Sequence, residues 1–373
     1  MYTIKTLNKI SPLGLNRLDS SSFVVDDSAE NPNGILVRSA DMLEMAFPHS
    51  LLAIGRAGAG TNNIPSDRCA EAGIAVFNTP GANANAVKEL AICALLLASR
   101  NIYGGITWCQ GLTDGETTVQ KQVEKGKSKF VGPEIAGKAL GIVGLGAIGR
   151  LVAGAAAGLG MKVVGYDPFV TACDGVELMD LDALYAASDY ITLHLPQTAE
   201  TKGMVNAAAF AKMKDGVRLL NLARDTLVNT DDLLAALDAG KLAAYVTDFP
   251  TAAVVGKPGI VTIPHLGAST PEAEDNCAVM AADEVSDYLL NGNIKNSVNL
   301  PACALARTGG ARVAVISKGV EVEKLNEIAG KYEATATATK KDYTYTIYEN
   351  VDGVSAVVEA LAMLPGVIRV RAL

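Results

Sequence analysis

At 373 residues the chain exceeds the size of one ordinary hydrophobic core, so two or three domains are expected. Hydrophobic residues make up 49% and charged residues 19%, with 36 Gly and 5% aromatics, a balance that excludes a disordered chain. The net charge of -8 offers no broad cationic face to nucleic acid or an anionic membrane, so any anionic ligand must be held by a few local cations.

The N-terminal MYTIKTLNKI has no charged leader followed by an apolar block and a small-residue cleavage site, which predicts no export signal and a cytoplasmic location. Over the first hundred residues the β-prone runs YTIKTL, SFVVDD, GILVRSA, LLAIGRAG and GIAVFNT alternate with helical stretches, which predicts βαβ units and a parallel sheet. Residues 84 to 101 have helical spacing. Their apolar run, Leu90 to Ser99, is half the length of a bilayer span and reads as a buried core helix. A Gly-rich, polar, irregular stretch from Tyr103 to Lys129 is where the chain is expected to cross into a second domain.

From Gly137 to about Asn291 a second alternation runs GKALGIVG, YITLHLP, GVRLLNLA, KLAAYVTDF and GIVTIPH, apolar on both faces as a sheet covered on both sides requires. The linker NLPACALARTGGA precedes residues 311 to 373, whose order βαββαβ is that of a ferredoxin-like module. Six cysteines, Cys69, Cys93, Cys109, Cys173, Cys277 and Cys303, lie far apart with no CxxC pair and only three His, so they read as reduced packing residues and no metal site is expected.

The strongest local signal is Gly144-Leu145-Gly146-Ala147-Ile148-Gly149, placed directly after the apolar strand KALGIV and opening the helix AIGRLVAGAAAGLG. Gly144 permits a tight turn, Gly146 lets backbone approach a pyrophosphate, Gly149 allows close helix-to-strand packing, and the helix N-terminus supplies free N–H groups. The next strand, MKVVGYD, ends at Asp167, where a carboxylate accepts from adenosine ribose hydroxyls and favours NAD over NADP. The competing readings are a Gly-rich turn without a ligand and a solvated strand-end acid.

Arg224 in NLARDTLVN and His265 in IPHLGAST each follow an apolar strand, where open parallel sheets bind ligands. An Arg fork can grip the carboxylate of an α-keto acid, and a His beside its carbonyl can supply a proton as hydride arrives. A surface Arg and a satisfied, partly buried His are the bland alternatives.

With these residues in view the chain resembles the D-2-hydroxyacid dehydrogenase family, through RAGAGTNN (56 to 63), VFNTPGANANAVKEL (76 to 90), GLGAIG, HLPQTAETKG (194 to 203), NLAR (221 to 224) and HLGAST (265 to 270). The resemblance implies a Rossmann-type nucleotide domain, 103 to 290, inserted in a flavodoxin-like substrate domain, 1 to 102 with 291 to 305. It implies Arg224 as carboxylate clamp and His265 as acid/base. Gly144, Gly146, Ala147, Ile148, Gly149, Asp167, Leu195, Pro196, Thr201, Ala223, Asp248 and Gly267 would line NAD, with Asp248 near the nicotinamide carboxamide. Arg38 and Ser39 in LVRSA, with Arg56 and Gly58 in GRAGAG, match positions that hold a substrate and its phosphate. The implied reaction is NAD-dependent interconversion of a phosphorylated 2-hydroxy acid and its 2-keto acid, in a cleft that closes. The alternatives are a dehydrogenase of glyoxylate or pyruvate, and a weakly catalytic NAD-binding sensor. A homodimer or higher homo-oligomer is implied as well.

Three positions depart from the family pattern. The Glu that normally orients the catalytic His is absent, because DFPTAAVVGKPGIVTIPH holds no Glu between Phe249 and His265, and Asp248 is the expected substitute partner. Asp225 stands where Gly usually follows the arginine. The C-terminal module, 311 to 373, resembles an ACT domain, yet VISKGVEVEKL lacks the His or Asn and the Pro-Gly turn of serine-binding versions, so a packing or oligomerisation role is expected.

Overall fold

The computed structural model describes residues 1 to 373 and divides into two compact units, Met1–Asn83 with Pro271–Leu373, and Ala84–Thr270. In chain order the first unit opens with β1 (Tyr2–Thr6), α1 (Pro12–Leu15), β2 (Phe23–Val25), β3 (Gly34–Val37), β4 (Ala53–Arg56), α2 (Ser66–Glu71) and β5 (Ala75–Phe77). The five strands pair in parallel in the order β2-β1-β3-β4-β5, the flavodoxin-like arrangement.

The second unit contains α3 (Ala84–Ser99), α4 (Ile102–Gln110), α5 (Val119–Gly126), β6 (Ala139–Val143), α6 (Ala147–Gly158), β7 (Lys162–Tyr166), β8 (Glu177–Leu178), α7 (Leu181–Ala187), β9 (Tyr190–Leu193), α8 (Ala207–Lys212), β10 (Val217–Asn221), α9 (Thr230–Asp238), β11 (Leu242–Thr247) and β12 (Ile260–Thr262). Its sheet order, β12-β11-β10-β9-β6-β7-β8, is parallel throughout and reverses direction between β6 and β9, the doubly wound topology. Helix α3 covers one face, with Ala91, Ala94, Leu95 and Ala98 packed on Leu140, Ile142 and Val152. The small side chains of α3 and α6 let the two helices lie close.

The stretch from Tyr103 to Lys129 is not irregular. It holds α4 and α5 followed by a 3-10 turn at Lys127–Phe130. Trp108 stacks on Phe130, ring centroids 5.3 Å apart, and its indole lies so close to Gly126 that a Cβ there would be 2.5 Å from the ring. Among the glycines of this stretch, Gly126 is the one this aromatic pair requires.

The chain returns to the first unit through α10 (Pro271–Asn291) and then forms β13 (Arg312–Lys318), α11 (Val322–Ala329), β14 (Ala334–Lys340), β15 (Tyr343–Glu349), α12 (Val354–Ala362) and β16 (Val367–Ala372). The four strands make an antiparallel sheet in the order β14-β15-β13-β16. Alternation sends Val313, Val315 and Tyr348 toward Leu325, Val357 and Leu361 of the two helices. The opposite face sends Ala314, Ile316, Tyr345 and Ile347 into one core with Tyr288 and Leu289 of α10 and Ile4, Leu36 and Phe77 of the parallel sheet. Both faces are therefore buried.

Polar contacts complete this junction. Arg371 donates to the carbonyls of Tyr288 and Leu289 at the end of α10 (3.1 and 2.7 Å), and Arg369 donates to those of Leu51 and Ala72 (3.0 and 2.9 Å). Arg312 and Glu349 form an ion pair with both side chains at 0% exposure. Arg312 also reaches the carbonyls of Asn291, Leu305 and Ala306, while Glu349 accepts from the backbone and hydroxyl of Thr308, so every nitrogen and oxygen of the buried pair has a partner. All six cysteines are free; Cys69, Cys277 and Cys303 are buried, but Cys93 and Cys109 are exposed and Cys173 is half-buried, so packing accounts for only part of the set. No single helix is long and apolar enough to cross a membrane.

Candidate active site

In the second unit the sheet edge at the C-terminal ends of β6, β7, β9, β10, β11 and β12 gathers the residues singled out in that half of the sequence. The loop Gly144–Gly149 joins β6 to α6. Gly144 has φ of 98°, and a Cβ on it would stand 2.4 Å from the His194 carbonyl; a Cβ on Gly149 would stand 2.0 Å from the Gly144 carbonyl. Neither position admits a side chain. A Cβ on Gly146, by contrast, would meet nothing within 4 Å, so this glycine faces open space above the α6 N-terminus, which no side chain caps.

Asp167, at the end of β7, accepts from the backbone N–H of Leu145 (2.8 Å) and of Phe169 (2.9 Å), so the acid braces the glycine loop. An open glycine, uncapped helix N–H groups and a strand-end carboxylate on one edge fit the diphosphate and ribose of a dinucleotide. Beyond β9, Thr201 donates to the Pro196 carbonyl (2.8 Å) and fixes the turn that presents Leu195 and Pro196. His194 lies beside them, its Nε2 3.0 Å from the Thr192 hydroxyl, and burial pushes its imidazole down to about 4, so it is neutral at pH 7.

Ala223 and Arg224 follow β10. Buried Asn221 holds this loop, donating to the Arg224 carbonyl (2.8 Å) and accepting from the Ala223 N–H (3.2 Å). The half-buried Arg224 guanidinium touches the Ala223 carbonyl at 2.6 Å. Asp225 is exposed, begins a 3-10 turn and forms no ion pair with Arg224.

Asp248 directly follows β11 at 1% exposure, and its Oδ1 has no hydrogen-bond partner. Burial raises its pKa, while His265, the Gly267 backbone donor and Arg224 pull it back. His265 donates its backbone N–H to the Asp248 carbonyl (3.0 Å), stacks on Phe249 with centroids 4.9 Å apart, and has φ of 25°. A non-glycine residue in that region is strained, and His265 lies exposed in the turn that follows β12. One sheet edge thus carries a cationic fork, an exposed imidazole and a buried carboxylate within electrostatic reach of both.

The first unit has its own cationic edge. Arg38 follows β3 and pairs with Glu274 of α10 at 2.7 Å. The backbone N–H groups of Arg38, Ser39 and Ala40 all donate to Asn8 Oδ1, at 3.1, 2.9 and 2.9 Å. Arg56 ends β4 with its guanidinium lying across Gly58, where a Cβ would be 1.4 Å from Nη1. The Cys277 thiol sits near both arginines and Thr79, its pKa raised by burial. Sequence reading missed Asn8, Asn221 and Glu274, because each acts through a residue distant in the chain or through backbone amides.

Residues 105–267 match the D-isomer specific 2-hydroxyacid dehydrogenase NAD binding domain. A D-3-phosphoglycerate dehydrogenase of Synechocystis sp. is 30% identical over 390 residues, taking in 96% of this chain and 68% of that protein. The chain belongs to the D-isomer specific 2-hydroxyacid dehydrogenases. A D-3-phosphoglycerate dehydrogenase of Archaeoglobus fulgidus is 37% identical over 287 residues, 72% of this chain but 51% of that protein. The chain therefore spans from about half (51%) to just over two thirds (68%) of these relatives. Among solved 2-hydroxyacid dehydrogenases, the NAD+-bound 3-phosphoglycerate dehydrogenase of Entamoeba histolytica superposes with a TM-score of 0.63 at 27% identity, covering 80% of this chain and 98% of that one. A glyoxylate reductase from Paecilomyes thermophila gives 0.68 at 26% identity, over 80% and 98%.

Proposed function

We propose that the protein is an NAD-dependent oxidoreductase that interconverts 3-phosphoglycerate and 3-phosphohydroxypyruvate, the opening step of L-serine biosynthesis. The observation that carries the reading is the placement of Arg224 and His265 on the same strand-end edge as the glycine loop, in a chain whose curated relatives bear that enzyme's name. NAD, when bound, supplies the hydride acceptor or donor. The chain's residues do the rest. Arg224 takes the substrate carboxylate in a two-pronged grip, which sets the carbonyl orientation. In reduction the His265 imidazolium gives its proton to the carbonyl oxygen as C2 receives hydride; in oxidation the neutral imidazole takes the hydroxyl proton. Asp248 stands in for the absent Glu by stabilising the imidazolium through its charge. Arg38, Ser39, Arg56 and Gly58 are assigned to the phosphate end.

The Arg38–Glu274 pair favours a second reading, an unphosphorylated 2-keto acid such as glyoxylate or pyruvate, since it already neutralises one cation. In either case the module at 311 to 373 is read as ACT-like, serving packing and homo-oligomerisation and not serine inhibition. Initial rates of NADH oxidation with 3-phosphohydroxypyruvate, pyruvate, glyoxylate and 2-oxoglutarate decide between the two. The first reading expects a rate confined to the phosphorylated acid, lost in His265→Ala and raised in KM in Arg38→Ala. A rate confined to glyoxylate or pyruvate and indifferent to Arg38→Ala supports the second, and tight NADH binding without any turnover refutes both.

A further inference from the structure

The face of α10 turned away from the parallel sheet borders a cavity of about 310 Å³, lined by Asp283, Glu284, Asp287, Asn296, Val279 and Met280 among others. Its carboxylates are not alike. Asp287 is satisfied, accepting from Asn291 (2.9 Å), Asn293 (3.0 Å) and Lys295 (2.9 Å). Asp283 holds Arg17 at 2.8 Å. Glu284 is 7% exposed and accepts from Asn296 at 2.5 Å through Oε1, but its Oε2 has no partner. A carboxylate oxygen buried without a donor is costly, and the native arrangement calls for a group that supplies one.

We propose that this cavity binds a small ligand carrying a primary ammonium group, whose N–H donors meet Glu284 Oε2 and whose alkyl part rests on Val279 and Met280. Three features select that class. The wall carries Asp283, Glu284 and Asp287, of which Asp283 and Asp287 are offset by Arg17 and Lys295, so the uncompensated carboxylate is Glu284 and the site favours a positive charge there. No group of three His, Cys, Asp or Glu converges as a metal ion requires. An inorganic ion would also leave the apolar side and most of the volume unused. Burial lifts the Glu284 carboxyl to about 7, so an incoming ammonium displaces a proton from part of the population. Nothing in the dehydrogenase reading is needed for this site.

Isothermal titration of the full chain at pH 7 with n-propylammonium chloride tests it, alongside tetramethylammonium chloride and potassium chloride. Millimolar binding of n-propylammonium is expected, with an apparent enthalpy that varies linearly with the ionisation enthalpy of the buffer that takes up the displaced proton. Tetramethylammonium, with the same charge and no N–H donor, should bind at least about tenfold more weakly. Glu284→Gln should weaken n-propylammonium by about tenfold or more, and Met280→Trp, which fills the cavity while leaving the carboxylates in place, should abolish binding. Potassium binding as tight as n-propylammonium, unchanged affinity in either variant, or no binding of n-propylammonium to the native chain overturns the proposal.

Discussion

Replacing Asp248 by Asn removes a negative charge beside His265 while keeping the side-chain volume. The imidazolium loses its nearby stabilising charge, so the acid/base limb of the kcat/KM pH profile should move to lower pH; an unchanged profile sinks the partnership. Glu274 acts in the opposite sense on Arg38. It occupies the guanidinium that a phosphate would need, and an exposed pair of this kind contributes only about 0.2–1 kcal/mol. Glu274→Gln should therefore lower KM for 3-phosphohydroxypyruvate several-fold and leave KM for glyoxylate alone, whereas equal effects on both would remove Glu274 from specificity. His194 supplies a pH dependence of stability. Its folded pKa, about 4, lies below the ordinary imidazole value, so the unfolded chain binds more protons between the two. Stability should fall as pH drops from about 6.5 toward about 4, and His194→Gln should flatten that part of a Tm-against-pH curve.

At the scale of elements, the glycine loop separates fold from ligand. Gly146 has φ of -70°, which any residue adopts, and a Cβ there meets nothing in the chain. Gly146→Ala should keep Tm within a degree or two yet weaken NADH binding, measured by fluorescence titration, by about tenfold. Gly149→Ala drives a Cβ into the Gly144 carbonyl and should cost about 1–3 kcal/mol of stability. If both variants lose stability equally, Gly146 is a packing residue. The loop was legible because its spacing sits between an apolar strand and an amphipathic helix, and the strand ends carrying Arg38, Arg56, Arg224 and His265 were legible for the same reason. Helices α4 and α5 were not, since Gly104, Gly105 and Gly111 weaken the local pattern and the Trp108–Phe130 contact that rescues it is tertiary. The two-residue strand β8 carries too few side chains to register as a period. Asn221 and Asn8 escaped because their work is to hold backbone amides and carbonyls, which leaves no trace in hydrophobic spacing.

At the scale of the whole molecule, the ion pair of Arg312 with Glu349 ties the start of the last sheet to its third strand and to the end of α10. Glu349→Gln leaves the guanidinium buried without its counter-charge and should destabilise the first unit by about 3–5 kcal/mol in a denaturant titration. A loss under about 1 kcal/mol would mean that the carbonyls of Asn291, Leu305 and Ala306 alone suffice for Arg312.

The core shared by β1 to β5, α10 and the last sheet also fixes an order of events during synthesis. Residues 84 to 270 are contiguous, so that unit has all its strands as soon as its own stretch has left the ribosome. The unit that begins the chain has to wait. Its first five strands emerge early but lack α10 and Ala314, Ile316, Tyr345 and Ile347, which complete their core only when the final hundred residues have been translated. A nascent chain arrested just after Thr270 has cleared the ribosome should thus hold a protease-resistant nucleotide unit behind an N-terminal segment still open to cleavage.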